Sequence, residues 1–386
     1  MANAKIPLWH NQRVIGILLQ IVVISLVLAV LIVLGNNLVN NFQQKNLEFG
    51  FDFLGSKASF DISDQIIDFQ PSDTYRKAIL VGLLNSLRVM VVGIILATLI
   101  GVTVGIGRLS DNWLVRQLAT VYVEILRNTT LLLQLFFWYS AVFLNLPRVD
   151  QPLILPGSIY LSNRGISIPW PAGTTSTWLA LGLICGSVIL TIIVMRRRIE
   201  AIAQHSPVAQ ILQIVLIGTA IATIFALVWG LDWQHPQLDR QASSILGGLN
   251  FSPELATLLL GLSVYTAAYI AEVVRAGIQS VNQGQWEAAR ALGLKPSLVM
   301  QLVIFPQALR VMIPSLTSEY LNLAKNSSLA IAIGYSDIYA IANTIFNNTG
   351  RSVETLLIVM VTYLIINLII ALVMNWLNAR MQLQER

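Results

Sequence analysis

Residues 285–306 read "QWEAARALGLKPSLVMQLVIFP": a helix-forming run, a glycine, a proline turn and a second apolar run, set between two stretches long enough to cross a bilayer. Gln285 to Leu292 are mostly strong helix formers, and Gly293 supplies the backbone freedom that stops the helix. "LKPS" then turns the chain, with Ser297 placed to cap a second helix through "LVMQLVIF". Two short helices meeting at a glycine make an elbow. Ala288, Ala289 and Ala291 keep its first arm narrow enough for a groove on another protein, while Glu287 and Arg290, three apart, share a face and can pair. The surrounding segment, 275–310, carries Arg275, Arg290, Lys295 and Arg310, yet it is too apolar for a solvated linker. It must pack against something: a protein groove or, in the blander reading, the lipid surface.

The rest of the chain says what surrounds the elbow. Of its 386 residues 55% are hydrophobic and 11% charged, and the mean hydropathy is +0.70, values outside the range of soluble globular domains. Apolar runs of about 20 residues, the length that spans a hydrocarbon layer of about 30 Å, fall near 14–34, 80–106, 117–145, 177–195, 208–231, 254–274, 312–335 and 355–376. The expectation is an all-α integral membrane protein of about eight transmembrane helices. "IGILLQIVVISLVLAVLIVL" exceeds a signal-peptide core and lacks a small-residue cleavage site, so the first run reads as a retained span.

Basic residues orient the spans. With both termini cytoplasmic, the inner segments hold 13 of the 24 Lys and Arg but 4 of the 19 Asp and Glu; "RRRIE" at 196–200 is the plainest case. The net charge of +5 therefore reflects topology and does not point to nucleic acid. Cys185 is the single cysteine, and His10, His205 and His235 fall in separate segments, which excludes an internal disulfide and offers no metal-ligand spacing.

Outside, a polar stretch of about 45 residues follows the first span and is too short and polar to bury a core of its own. "GFDFLGSK" within it approaches a phosphate loop, but Lys57 is displaced by one position and no buried strand precedes it. The prolines and glycines of 146–176 read as ordered loop, and 232–252 as a short polar connection.

"EAARALGLKPSLVMQLVIFP" resembles the cytoplasmic motif of permease subunits of binding-protein-dependent ABC importers. Gly284, Glu287, Ala288, Ala289, Gly293 and Pro306 match it, with Val303 and Phe305 where Ile and Leu are usual. "YTAAYIAEVVRAGIQSVNQGQWEAARALG", "FPQALRVMIPSLTSEYLNLAKNSSLAIAIG", "GLLNSLRV", "GRLSDNWL" and "YVEILRNTTLLLQLFFWY" are similar to the polar amino-acid branch of that family. Thr130 stands where the branch commonly has Pro, so the kink that a proline would enforce loses its cause. The first span and the pair at 177–231 resemble the long, eight-span members that import general or neutral amino acids.

The resemblance implies a type I importer permease fold with extra N-terminal and central spans. It divides the chain into 1–78 (extra span and outer loop), 79–376 (transmembrane domain, with the inserted pair at 177–231 and the coupling motif at 284–306) and a cytoplasmic tail, 377–386. It implies a multi-pass protein of the bacterial inner membrane that is a transport subunit and not an enzyme. The elbow would dock on a separate ATPase dimer that holds ATP and Mg, leaving this chain without a cofactor. A second permease subunit, sibling or self, and an extracytoplasmic amino-acid-binding protein complete the implied assembly, with lipid around it and no nucleic acid.

Charges inside apolar spans are costly and face a cavity or a partner. Arg88, Glu124, Arg127, Glu319 and Lys325 are the candidate pathway residues: Arg88, about eight residues into its span, for an amino acid's carboxylate near midmembrane, and Glu319 or Glu124 for its ammonium. Internal pairing of Glu124 with Arg127, or of Glu272 with Arg275, is the competing reading. Asn326, Ser327 and Ser328 read as the polar cap of a broken helix, and "FFWY" at 136–139 as an interface belt. A free-standing ion-coupled carrier or channel would also satisfy eight spans with buried charges but has no need of the elbow, and a membrane enzyme would need a clustered site that the sequence lacks.

Overall fold

A computed structural model describes residues 12–44, 49–203, 208–239 and 244–381. The first helix, α1 (Gln12–Gln44), is apolar on all sides, and its stretch Gly16–Asn37 buries nothing against the rest of the chain; a helix of that kind belongs in lipid. The centre of the molecule is the pair α2 (Tyr75–Gly107) and α7 (Pro253–Gln279). Ala97, Gly101 and Gly105, four apart, form a buried stripe on α2. A Cβ on Gly101 would stand 2.6 Å from the Ile270 side chain, and one on Gly105 2.8 Å from the Ala271 carbonyl oxygen. Small residues at this spacing let two backbones approach where no hydrophobic force between helices exists.

Two helices, α3 (Trp113–Arg127) and α4 (Leu131–Phe136), occupy the expected span at 117–145, with a π turn to Val142 and a 3-10 turn to Asn145. The expected single helix is broken at Asn128 to Thr130 without a proline. The cause is polar: the Gln134 side-chain amide donates to the Thr129 hydroxyl at 2.6 Å and to the Leu126 carbonyl at 3.0 Å. It thereby covers part of what the ended helix leaves open.

Next come α5 (Thr175–Ala203) and α6 (Val208–Phe225), whose π turn runs to Gly230. They pack on each other through the Ser187–Thr223 and Thr191–Thr219 hydroxyl pairs at 2.7 and 3.0 Å, while their outward apolar side chains stay exposed. After α7 follow α8 (Gln283–Ala291), α9 (Pro296–Val299), a π turn at Met300–Ile304, α10 (Phe305–Asn326), a 3-10 turn at Ser327–Ile333, α11 (Ile338–Thr349) and α12 (Ser352–Met381).

Among the described residues six helices are long and apolar enough to cross a membrane, and the bent pair 300–333 with 338–349, at 51°, makes a seventh. The eighth crossing is the broken one. Residues 50, 64, 252 and 354 meet on one side of the bundle, whereas Leu109, Asp111 and Gln279 meet α8 on the other. The chain must therefore cross between Gly107 and Leu153, and α3 with α4 is all it has to do so. At the bend, the Ser327 and Ser328 hydroxyls each donate to a carbonyl at 2.8 Å, the capping role expected of them.

The outer segments are more ordered than loops. Strands β1 (Leu153–Leu155), β2 (Ile159–Ser162), β3 (Gly165–Ile168) and β8 (Leu249–Phe251) form one antiparallel sheet with Ile166 opposite Phe251. β4 (Trp170–Pro171) pairs with β5 (Trp233–Gln234), and β6 (Gln237–Asp239) with β7 (Ser244–Leu246). Gly165 is obligatory at its corner: φ is +116°, and a Cβ would lie 1.9 Å from the Phe251 carbonyl oxygen. β1 to β4 lead into the inserted pair, and β5 to β8 join its end to the start of α7.

Residues 49–74, as expected, bury no separate core. They share a core with the bundle: Ala58, Ile62 and Phe69 pack with Tyr75, Ala78 and Val81 of α2 and with Ile341 and Ile345 of α11. Lys57 bridges to Thr74 beside a 3-10 turn at Asp52–Gly55, so the near-match to a phosphate loop has no phosphate-loop backbone.

Candidate functional site

The elbow begins with Asn282, whose side-chain oxygen accepts from the Gly284 amide at 2.8 Å and caps α8. The helix ends with Gly293 at φ +75°, its amide on the Arg290 carbonyl (2.9 Å) and that of Leu294 on Ala289 (3.3 Å). This left-handed stop is the one glycine favours. The second arm starts two residues earlier than a cap at Ser297 would set it. Pro296 takes the first helical position, where its missing N–H costs nothing, and the Lys295 carbonyl accepts from Leu298 and Val299. Pro306 lies in the first turn of α10.

The motif divides into two faces. Ala289, 3% exposed, turns inward to Val281, Val299, Ile304 and Ala308, with Trp286 and Leu294 against them. Its side chain holds the elbow to its own bundle. Gly284, Glu287, Ala288, Ala291 and Gly293 are exposed, and Leu292 is 81% exposed. No ion pair joins Glu287 to Arg290 among the described residues; Arg290 lies over the Trp286 ring at 6.0 Å. A cleft of 620 Å³ separates α8 from the ends of α2 and α7, lined by Leu109, Asp111, Gln279, Trp286, Glu287 and Arg290.

The candidate pathway residues fall into two clusters. Arg88 lies about 20 Å along the 33-residue α2 at 1.5 Å per residue, beside the 49–74 segment and the turn that precedes α11. It donates to the Tyr335 hydroxyl at 2.8 Å and lies 3.9 Å from Asp64 of the outer loop, which Ser252, the N-cap of α7, also holds. Burial pushes the Asp64 carboxyl above its ordinary range, and the Ser252 hydrogen bond and Arg88 pull it back.

Around Glu272 of α7 lies the inner cluster. Arg108 pairs with it directly, Arg275 at 2.5 Å and Arg127 at 3.9 Å, so the Glu272–Arg275 pairing is present and part of a larger set. Arg127 stacks over Tyr269 at 5.3 Å instead of joining Glu124, which is exposed and receives a hydrogen bond from Asn128 at 3.3 Å. Half-buried Glu319 interacts electrostatically with Arg127 and Tyr265. Lys325 is exposed in the last turn of α10, where the helix terminus favours a cation.

Sequence reasoning thus missed Asp64, Ser252, Tyr335 and Arg108. Arg108, the first charge after an apolar run, carried a readable signal; Asp64 is one of several acids in a polar loop and carried none. On the aromatic string at 136–139, Phe136 and Phe137 are exposed while the Tyr139 hydroxyl reaches Glu254 at 2.9 Å.

Eight crossings, an ordered outer cap and an elbow with one buried and one exposed face define a polytopic helical membrane subunit. The family described as "Binding-protein-dependent transport system inner membrane component" matches residues 207–383. The chain is 42% identical to the general L-amino acid transport system permease protein AapQ of Rhizobium johnstonii, over 98% of this chain and 94% of that protein. It is 42% identical to the putative amino-acid ABC transporter permease protein YhdX of Escherichia coli K12 (97% and 96%) and 37% identical to the glutamate/glutamine/aspartate/asparagine transport system permease protein BztB of Rhodobacter capsulatus (98% and 96%). The chain belongs to the family of inner-membrane components of binding-protein-dependent transport systems. It is a permease subunit with the type I importer fold, extended by α1 and the α5–α6 pair, and not itself an enzyme.

Proposed function

We propose that this permease moves amino acids inward by alternating access, taking them from an extracytoplasmic binding protein and drawing work from a separate ATPase dimer docked on α8. The observation that carries the docking is the two-faced elbow: Ala289 anchors it inside, while Ala288, Ala291 and Leu292 are exposed beside a left-handed glycine. Closure of the ATPase around ATP and Mg would push α8, and the cluster that ties α8 to Val299, Ile304 and Ala308 would pass the motion to α10. The chain itself binds no cofactor in this scheme. Amino-acid cargo is supported by three relatives of nearly full length whose names carry it, and pairing with a second permease by the membership of glutamate/aspartate permeases GltJ and GltK among the relatives. Both termini face the cytoplasm on the distribution of basic residues; residues 1–11 and 382–386 lie outside the described ones.

Arg88 is the substrate's carboxylate partner in this reading, at the mouth that Asp64 and Tyr335 line. Glu319, Glu124, Arg127 and Lys325 remain pathway candidates of lower rank, since Arg127 already engages Glu272 and Tyr269. The test is purification of the complex and reconstituted uptake. Ala288→Arg and Leu292→Asp should leave the permease inserted while removing the co-purified ATPase and ATP-driven uptake, and Arg88→Ala should depress uptake of every amino acid. Retention of the ATPase and of uptake in the α8 variants would end the docking assignment.

A further inference from the structure

Asp64 is built into the mouth beside Arg88. Its carboxylate is held by the Ser252 hydroxyl. Its backbone carbonyl accepts from the Asn85 amide at 2.7 Å, and the same amide nitrogen donates to the Ser336 carbonyl at 2.9 Å. The loop that carries it is pinned by Ala58, Ile62 and Phe69, each no more than 2% exposed, so the carboxylate is a fixed wall and not a swinging arm. Glu254, two residues beyond Ser252, is held by the Tyr139 hydroxyl and acts electrostatically on Asp64. Arg88 keeps capacity for a ligand: its Nε is buried without a hydrogen-bond partner, and Asp64 at 3.9 Å is beyond hydrogen-bond reach.

We propose that Asp64 sets the charge selectivity of the outer entrance, offsetting Arg88 so that a substrate's second carboxylate gains no free cation there. The proposal rests on the reading of Arg88 as a substrate contact. The guanidinium faces the Asp64 carboxylate, and the Glu254 carboxylate adds its field at Asp64. A neutral amino acid brings a carboxylate for the guanidinium and an ammonium for the carboxylates. An acidic side chain adds a negative charge that the two carboxylates repel, and a basic side chain adds a positive one that they attract.

Asp64→Asn removes the charge while its amide oxygen still accepts from Ser252 and its backbone carbonyl still meets Asn85. In proteoliposomes with the full complex and its binding protein, uptake of an acidic, a neutral and a basic amino acid is compared between variant and wild type. The same receptor delivers to both permeases, so its own preferences cancel in the variant-to-wild-type ratio. The acidic-to-neutral ratio should rise about threefold or more and the basic-to-neutral ratio should fall. Unchanged ratios in an actively transporting Asp64→Asn complex, with Arg88→Ala still crippling uptake, overturn the selectivity role alone. Normal uptake by Arg88→Ala overturns the Arg88 reading and this proposal with it. Should Asp64→Asn fail to assemble, Glu254→Gln reads the same field: its ratios should shift in the same direction, and unshifted ratios there count against the proposal equally.

Discussion

The close contact of α2 with α7 gives the sharpest stability prediction. Gly101→Leu puts a Cβ 2.6 Å from the Ile270 Cβ and Cγ2 and 2.9 Å from the Ala267 carbonyl oxygen. Carbon atoms rest about 3.5–4.0 Å apart, so α2 and α7 would have to separate by roughly 1 Å at that point, and the further leucine carbons would widen the gap. Overpacking of this kind costs about 1–3 kcal/mol, against a gain of up to about 1 kcal/mol from removing glycine from a helix interior. Because the intruding atoms meet backbone and a β-branched carbon, neither of which can rotate away, the net effect should be a loss of about 2 kcal/mol. Gly218→Leu on α6 is the matched control, since a Cβ there meets nothing within 4 Å. The assay is SDS titration of detergent-purified protein followed by circular dichroism: the midpoint should fall for Gly101→Leu and stay in place for Gly218→Leu. Equal midpoints would refute the close-packing argument.

Gly293→Val forces a β-branched residue into φ +75° at a cost of about 1–2 kcal/mol; with no atom within 4 Å of the added Cβ the loss should appear as uncoupling of ATP hydrolysis from uptake and not as aggregation. Glu272→Gln removes the shared partner of Arg108, Arg275 and Arg127; with the Glu272 side chain 25% exposed a screened loss of about 1–3 kcal/mol is expected, read as a lower thermal midpoint in detergent. Asn85→Ala deletes hydrogen bonds to Asp64 and Ser336 at a site that is 0% exposed, about 1–3 kcal/mol, and should speed proteolysis within 49–74 while α2 stays protected.

How far the site could be read in advance differs from element to element. The elbow was legible because its signals are local: helix formers, a glycine that must adopt positive φ, a proline that starts a helix. Its facing was not. Ala288 and Ala289 are chemically identical neighbours, and only the packing of α10 against α8 decides that one is covered and the other exposed. Arg88 was legible as an expensive charge in an apolar run, but its depth depends on how much of the 33-residue α2 stands beyond the lipid, which composition does not encode. The break at Asn128 to Thr130 was obscured by reading for proline, when a glutamine four residues on does the work through its side chain.

By itself the sequence determined that the chain lives in a membrane, roughly where it crosses, and that one charged segment between two spans is an elbow. Those properties follow from local hydropathy, charge and backbone preference, which act within one turn or one span. Tertiary structure alone decided that the outer loop enters the core, that the polar outer segments become β-structure, and that Arg88 meets Asp64 while Arg127 leaves Glu124 for Glu272. Each of these joins residues far apart in the chain, and a contact between distant residues exists only once the close approach of α2 and α7 has set the distances between them.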